Sequence, residues 1–338
     1  MKAAVLPNYH QFLQIRDLPV PSISPQEVLI RVRACGICGS DVHLLDGDFA
    51  PYSQVPIIPG HEVVGVIEQV GEQINYLKLG NRVGLPWTQG TCGHCRYCVR
   101  GETTLCPEQQ TTGINLNGGY AEYIKAPARD VTVIPDAISF EEAAPLFCAG
   151  ITVFTPFNYT NFQPGQRVAV LGVGGLGHLA LQFAHALGAH TVAVSRGADK
   201  LKLAKEKLGA DEVIDSANED WVQQLQQMGG AEVILATANS SKLMSEAVNA
   251  LAPDGTLVLL AVDNEQLLLP PSLFLINGRR RVMGNPAGSL KDMRQMLEFA
   301  AAHGIRPLIE THPLKDVQLA LDRVRAGKPR FRAVLTMA

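Results

Sequence analysis

The alternation of apolar and polar positions changes character partway along the chain. In residues 1–150, segments such as "EVLIRVRACG", "EVVGVIEQVG" and "AEYIKAP" are short, rich in β-branched residues and bounded by Gly and Pro. That pattern predicts an all-β region of short strands between turns. From Thr152 onward the texture differs. "RVAVLG" is an apolar strand, and 175–187 carries Leu176, Leu179, Ala180, Phe183 and Leu187 on one helical face. "HTVAVS" follows as a strand and 199–208 as a helix, and "DEVID", "EVILAT", "GTLVLLAV" and "GRRRVMGNP" continue as strands. Strands alternating with helices of this length predict a parallel sheet covered on both faces. The chain thus reads as an α/β protein. Residues 1–150 form a β-rich domain and 151–285 a doubly wound domain. Residues 286–338 form a helix and a closing strand, "FRAVLTM", that returns to the first.

Composition narrows the partners. A chain of 338 residues is comfortable for two domains, and 46% apolar with 18% charged residues is globular usage. A formal charge of −3 gives no reason to expect nucleic acid or an anionic membrane as partner. "MKAAVLPNYH" has no apolar stretch of signal-peptide length, and the apolar runs 257–262 and 267–276 are too short to span a bilayer. These features predict a cytoplasmic protein.

"LGVGGLG" places Gly172, Gly174, Gly175 and Gly177 between a strand and a helix. Glycines there permit a tight turn and close approach of a pyrophosphate to the helix N-terminus, the signature of dinucleotide binding. An NAD site would carry Asp or Glu at the end of the next strand; here "AVSRGADK" offers Ser195, Arg196 and Lys200. Without a carboxylate a 2′-phosphate is not repelled, and Arg196 can pair with it, which favours NADP over NAD.

The seven cysteines, at 35, 38, 92, 95, 98, 106 and 148, all lie in the first half. Cys92, Cys95, Cys98 and Cys106 follow C-x2-C-x2-C-x7-C, the spacing of a closed four-thiolate zinc site; an iron–sulfur cluster takes the same ligands. His94, between them, is left facing solvent, since four sulfurs fill the shell. Cys35, Cys38 and Cys148 remain, with His61 and Glu62 in "PGHEVVG". A catalytic zinc needs three protein ligands and an open position, so one cysteine is left over.

With these motifs in hand, the chain resembles the zinc-dependent medium-chain alcohol dehydrogenases over essentially its whole length. The resemblance is carried, in the family's order, by "CGICGSDVH", "PGHEVVG", the four-cysteine lobe, "PLFCAGIT" and "LGVGGLG". It implies a GroES-like catalytic domain interrupted by a Rossmann domain, and two zinc ions per chain. Cys38, His61 and Cys148 match the catalytic zinc ligands, and Glu62 the acidic residue beside the metal. Asp41 matches the carboxylate that orients the histidine ligand. Ser40 matches the hydroxyl that takes the substrate's proton, and His43 the outer end of that relay. Cys35 has no ligand role in the family and reads as a small buried residue. Thr152 matches a contact to the nicotinamide end, and Arg332 a C-terminal arginine that contacts the cofactor. Phe49 and Trp87 align with pocket-lining aromatics, which favour primary alcohols and aldehydes over polyols. "PLFCAGITVF" and the Ser195–Arg196 pair most resemble the cinnamyl-alcohol-dehydrogenase-like branch, whereas the lobe and the length look more like bacterial alcohol dehydrogenases. Asn81 stands where the family usually has Asp, at a turn.

The function implied is interconversion of alcohols and aldehydes or ketones by hydride transfer to or from NADP(H), in a homo-oligomer that is a dimer or tetramer. Threonine and polyol dehydrogenases usually replace the third ligand cysteine by Glu, so Cys148 counts against them. Zinc-free quinone reductases lack the ligands altogether. A reading from a different class is a nucleotide-binding redox sensor with a Cys35–Cys38 disulfide.

Overall fold

A computed structural model describes residues 1–218 and 220–337. The chain divides into two compact units, Met1–Ile151 together with the chain from Ala287 onward, and Thr152–Pro286. The first is built on one sheet in the order Ile309–Pro313, Arg332–Thr336, Glu27–Ile37, Glu62–Val70, Arg82–Leu85 and Thr132–Val133, with Tyr123–Pro127 also pairing Glu27–Ile37. The closing strand Arg332–Thr336 lies antiparallel to Glu27–Ile37, with Ala333 opposite Ile37. Inward residues such as Ile30, Val32, Ile67, Val83 and Leu335 form the core of this unit.

This first unit is not all β. A two-turn helix, Gly39–Leu45, follows the strand Glu27–Ile37 directly. Asp41, its third residue, accepts the Cys38 backbone N–H at 2.8 Å, and Leu44 and Leu45 bury its inner face. A carboxylate at that position satisfies an otherwise orphan N–H. The helix is too short to show a 3.6-residue period against the strands around it, which is why apolar patterning misses it.

The second unit is a six-stranded sheet, parallel throughout. Its order is Glu212–Asp215, His190–Ser195, Arg167–Leu171, Ala231–Ala236, Leu251–Leu259 and Arg281–Gly284. Numbered along the chain this is 3-2-1-4-5-6, the doubly wound dinucleotide-binding order. Buried Val, Ile and Leu fill the strands, as a sheet covered on both faces requires. The strand Leu251–Leu259 starts before the run "GTLVLLAV", because Leu251 and Ala252 pack inward ahead of the polar Asp254.

Candidate active site and cofactor cleft

Three segments of the first unit converge. Cys38 sits where the strand Glu27–Ile37 gives way to the helix Gly39–Leu45. His61 immediately precedes the strand Glu62–Val70, whose register sets Glu62 opposite Gly36. Cys148 ends the 3-10 turn Ala144–Phe147. The two sulfurs are 3.9 Å apart, and one ligand atom from each of Cys38, His61, Glu62 and Cys148 lies within 4.8 Å of the others.

His61 is fully buried, and among the described residues neither ring nitrogen has a hydrogen-bond partner; Nδ1 is 3.5 Å from Asp41 Oδ1. With Nδ1 turned to the carboxylate, Nε2 is a buried lone-pair donor with nothing to bind, which is what a metal ligand looks like. Two thiols and an imidazole suit Zn²⁺ chemically, so these residues fit the ion the motifs imply. Burial works to lower the His61 pKa, but Asp41 and Cys38 beside it together hold the ring well above the usual value. The hydrogen bond from Cys148, opposed by burial, holds the Cys38 thiol well below the usual range. Glu62 is pushed up to about 7 by burial, against the pull of Arg332. Arg332 is itself buried and donates directly to Glu62 Oε1.

Around this cluster the sequence-assigned residues take distinct places. Ser40 Oγ is 3.8 Å from Cys38 Sγ. The His43, Phe49, Trp87 and His61 rings meet edge-on in succession, with centroids 6.3, 6.2 and 4.8 Å apart. Arg332 stands beside Glu62, within the unit that holds the metal cluster. Cys35 is fully buried, its sulfur directed at Gly36 O and packed toward Gly60 and Gly119. Cys38 points instead to Cys148, and both cysteines are free thiols, an arrangement that does not favour a Cys35–Cys38 disulfide. Tyr120 was not anticipated. It is fully buried, its ring fills the space a side chain at Gly60 would need, and burial with the Asp41 charge pushes its phenol pKa well up.

In the lobe, the four sulfurs of Cys92, Cys95, Cys98 and Cys106 also lie within 4.8 Å of one another. Backbone N–H groups of Cys92, Cys95 and Cys98 donate to neighbouring sulfurs at 3.3–3.5 Å, as they do around thiolates. His94 has its side chain 78% exposed.

The second unit holds a cavity of about 220 Å³ at the ends of its first two strands, lined by Gly172, Gly174, Ser195, Arg196 and Lys200. Gly172 has φ +98°, and a Cβ on Gly177 would sit 1.8 Å from Gly172 O, so this turn admits glycine alone at both places. Gly175 lies between them. Ser195 Oγ accepts the Val173 N–H at 3.2 Å. Ser216, Thr237 and Asn239 also line it and were not anticipated; Thr237 Oγ1 donates to Gly172 O at 2.7 Å. Their signal in the sequence is only that each follows the end of a strand. Among the described residues no acidic side chain lines the cavity, and neither Arg196 nor Lys200 forms an ion pair. Thr152 begins this unit, and its carbonyl accepts from Asn285 Nδ2 at 3.4 Å.

A doubly wound sheet with a glycine turn, joined in one chain to a sheet domain bearing a buried Cys–His–Cys cluster, defines a nucleotide-dependent oxidoreductase. The alcohol dehydrogenase GroES-like domain model matches residues 24–136, and the zinc-binding dehydrogenase model matches 175–302. The chain is 42% identical to an alcohol dehydrogenase of Geobacillus stearothermophilus over 99% of both proteins. Among solved structures it is similar to a Sorghum bicolor cinnamyl alcohol dehydrogenase (TM-score 0.90, 30% identity, 99% of this chain and 97% of the other). A Helicobacter pylori cinnamyl alcohol dehydrogenase complexed with NADP(H) superimposes with a TM-score of 0.89 at 27% identity, covering 99% of this chain and 97% of the other. The protein belongs to the zinc-type medium-chain alcohol dehydrogenase family. It is an oxidoreductase acting on alcohols or aldehydes, and among the described residues no helix is long and apolar enough to cross a membrane.

Proposed function

We propose that the protein is an NADP(H)-preferring enzyme that interconverts primary alcohols and aldehydes with apolar or aromatic chains, and that it carries two zinc ions per chain. The observation that carries the catalytic reading is the buried, unpartnered His61 beside Cys38 and Cys148. Cys38, His61 and Cys148 would hold one zinc, and the four cysteines of the lobe the other. Zinc bound at the first set would act as a Lewis acid on the substrate oxygen, and the nicotinamide would take or give the hydride.

The chain's own side chains do the rest. Ser40, adjacent to Cys38, accepts the proton of the substrate hydroxyl, and His43 carries it outward. Asp41 holds His61 in one tautomer, since a carboxylate at Nδ1 requires the proton there. Glu62, charge-balanced by Arg332, is among the described residues the carboxylate grouped with the cluster, and it is close enough to approach the ion. Phe49 and Trp87 present ring edges that exclude water and accept an apolar chain.

Two further points support the finer reading. Among the described residues the cavity of the second unit is lined by two cations, Arg196 and Lys200, and by no carboxylate, which suits a ribose 2′-phosphate. The segment 262–276 leaves Val262, Leu268, Leu273 and Ile276 each more than 60% exposed, an apolar face that suits a homo-oligomer. The deciding experiment is a panel of aliphatic, allylic and aromatic aldehydes assayed with NADPH and NADH. Arg196→Ser is expected to raise KM for NADPH about tenfold, with little change for NADH. An equal effect on both cofactors would overturn the assignment of Arg196.

A further inference from the structure

We propose that His94 and Glu108, with the sulfur of Cys92, form an outer metal-binding set through which zinc enters and leaves the four-cysteine lobe. The inference rests on the reading of Cys92, Cys95, Cys98 and Cys106 as a zinc site, and it gives a task to two side chains that a four-thiolate shell leaves over.

The chain brings the pair to the lobe from its two ends. His94 lies two residues after the first sulfur ligand, and Glu108 two residues after the last. Gly93, with φ +79°, turns the backbone between Cys92 and His94, and His94 Nδ1 comes to 3.1 Å from Cys92 O. At the other end Gln109 N donates to Cys106 O at 3.2 Å, closing a turn with Pro107 at its second position and Glu108 at its third. Proline presets the φ that the second position needs. One ligand atom from each of Cys92, His94 and Glu108 lies within 4.8 Å of the others, and Cys92 belongs at the same time to the four-sulfur group. The two sets therefore share one sulfur.

The tautomer of His94 follows from its neighbours. A carbonyl oxygen only accepts, so the contact to Cys92 O puts the imidazole proton on Nδ1 and leaves a lone pair on Nε2. Nε2 is 4.0 Å from Glu108 Oε1. In the neutral ring these are two acceptors facing each other, and a cation is the partner both can bind. Thiolate, imidazole nitrogen and carboxylate oxygen are the donor types that zinc takes. The His94 and Glu108 side chains are 78% and 64% exposed, whereas Cys92 is half-buried and Cys106 buried. The outer set thus meets solvent, and the shared sulfur leads inward. His94 and Glu108 take up the ion beside Cys92. The sulfurs of Cys95, Cys98 and Cys106 then replace them, each thiol releasing its proton to water as it binds. The same exchanges in reverse let the ion out, so the pair sets the rate in both directions and leaves the final affinity unchanged.

The test uses full-length protein in the Cys38→Ser background, which is expected to keep only the lobe zinc. Replacement of the bound ion by an excess of isotopically labelled zinc is followed by mass spectrometry. His94→Ala and Glu108→Ala should each slow this exchange about tenfold, as loss of one ligand to the ion in transit would, with one zinc still bound per chain and Tm unchanged. Glu108→Asp, which keeps a carboxylate, should recover most of the rate. In the enzyme that retains Cys38, two exchange phases are expected, and only one should respond to the substitutions. Unchanged exchange in both variants would overturn the proposal, and so would faster exchange, which would make the pair a cover over the sulfurs. A Cys38→Ser protein that holds no zinc would instead remove the reading of the lobe on which the proposal rests.

Discussion

The two cysteine clusters offer similar donors but differ in how the chain builds them. In the lobe, Cys92, Cys95, Cys98 and Cys106 come from a single loop. Three of the four are only half buried, and the sulfurs of Cys92, Cys95 and Cys106 each accept a local backbone N–H. At the other cluster the donors come from positions 38, 61 and 148, His61 is wholly buried, and the surrounding groups are Asp41, Glu62, Arg332 and Tyr120. One cluster is closed by sequence spacing, the other by the pairing of distant strands. The lesson is that a metal site meant for chemistry is placed where the sheet and core can hold its ligands and their partners rigid, whereas one meant to tie a loop can be made by the loop itself.

Substitutions that separate the two test this contrast. The largest effect should come from Cys38→Ser. It should remove one of the two zincs and lower turnover about a thousandfold, ~4 kcal/mol in transition-state stabilisation, with the fold retained. Metal analysis and kcat measure both, and wild-type rates would end the catalytic reading. Asp41→Asn should be next, weakening zinc at the buried cluster about 10–100-fold while leaving the lobe zinc in place. Competition with a chelator reads the two ions separately, and equal loss from both sites would contradict the contrast. The smallest effect on chemistry should come from Cys106→Ser, at the most buried lobe cysteine. There kcat per folded molecule should stay within about twofold, while calorimetry shows Tm lower by roughly 5–10 °C. A large fall in kcat without a fall in Tm would give the lobe a part in the reaction.

The same contrast explains what can be read from the chain before it folds. The lobe is visible in the sequence because its four ligands fit a local spacing. The strands Arg167–Leu171 and His190–Ser195 are equally plain, because a buried parallel strand is a continuous apolar run bracketed by polar turns. The buried cluster is different. Counting cysteines leaves one too many, and the choice between Cys35 and Cys38 depends on which side of a strand end each sulfur leaves. That becomes visible only through the family resemblance or the folded sheet. Tyr120 was missed for a related reason. It meets the ligand segment through Gly60, and the glycine that makes the contact possible carries no chemistry of its own to draw attention.

Gly36 shows how far such an empty position can matter. It is paired with Glu62 across the two central strands, and a Cβ built on it would lie 1.8 Å from Glu62 Oε2. The carboxylate therefore lodges in the volume of one absent methyl group. The tolerance of the site is lopsided as a result. The acid can be shortened, as in Glu62→Asp, without crowding the strand, whereas a single carbon added to the facing backbone acts as a wedge. In Gly36→Ala the wedge bears on Oε2 of an acid whose other oxygen is held by Arg332 and which lies beside the cysteines and the histidine.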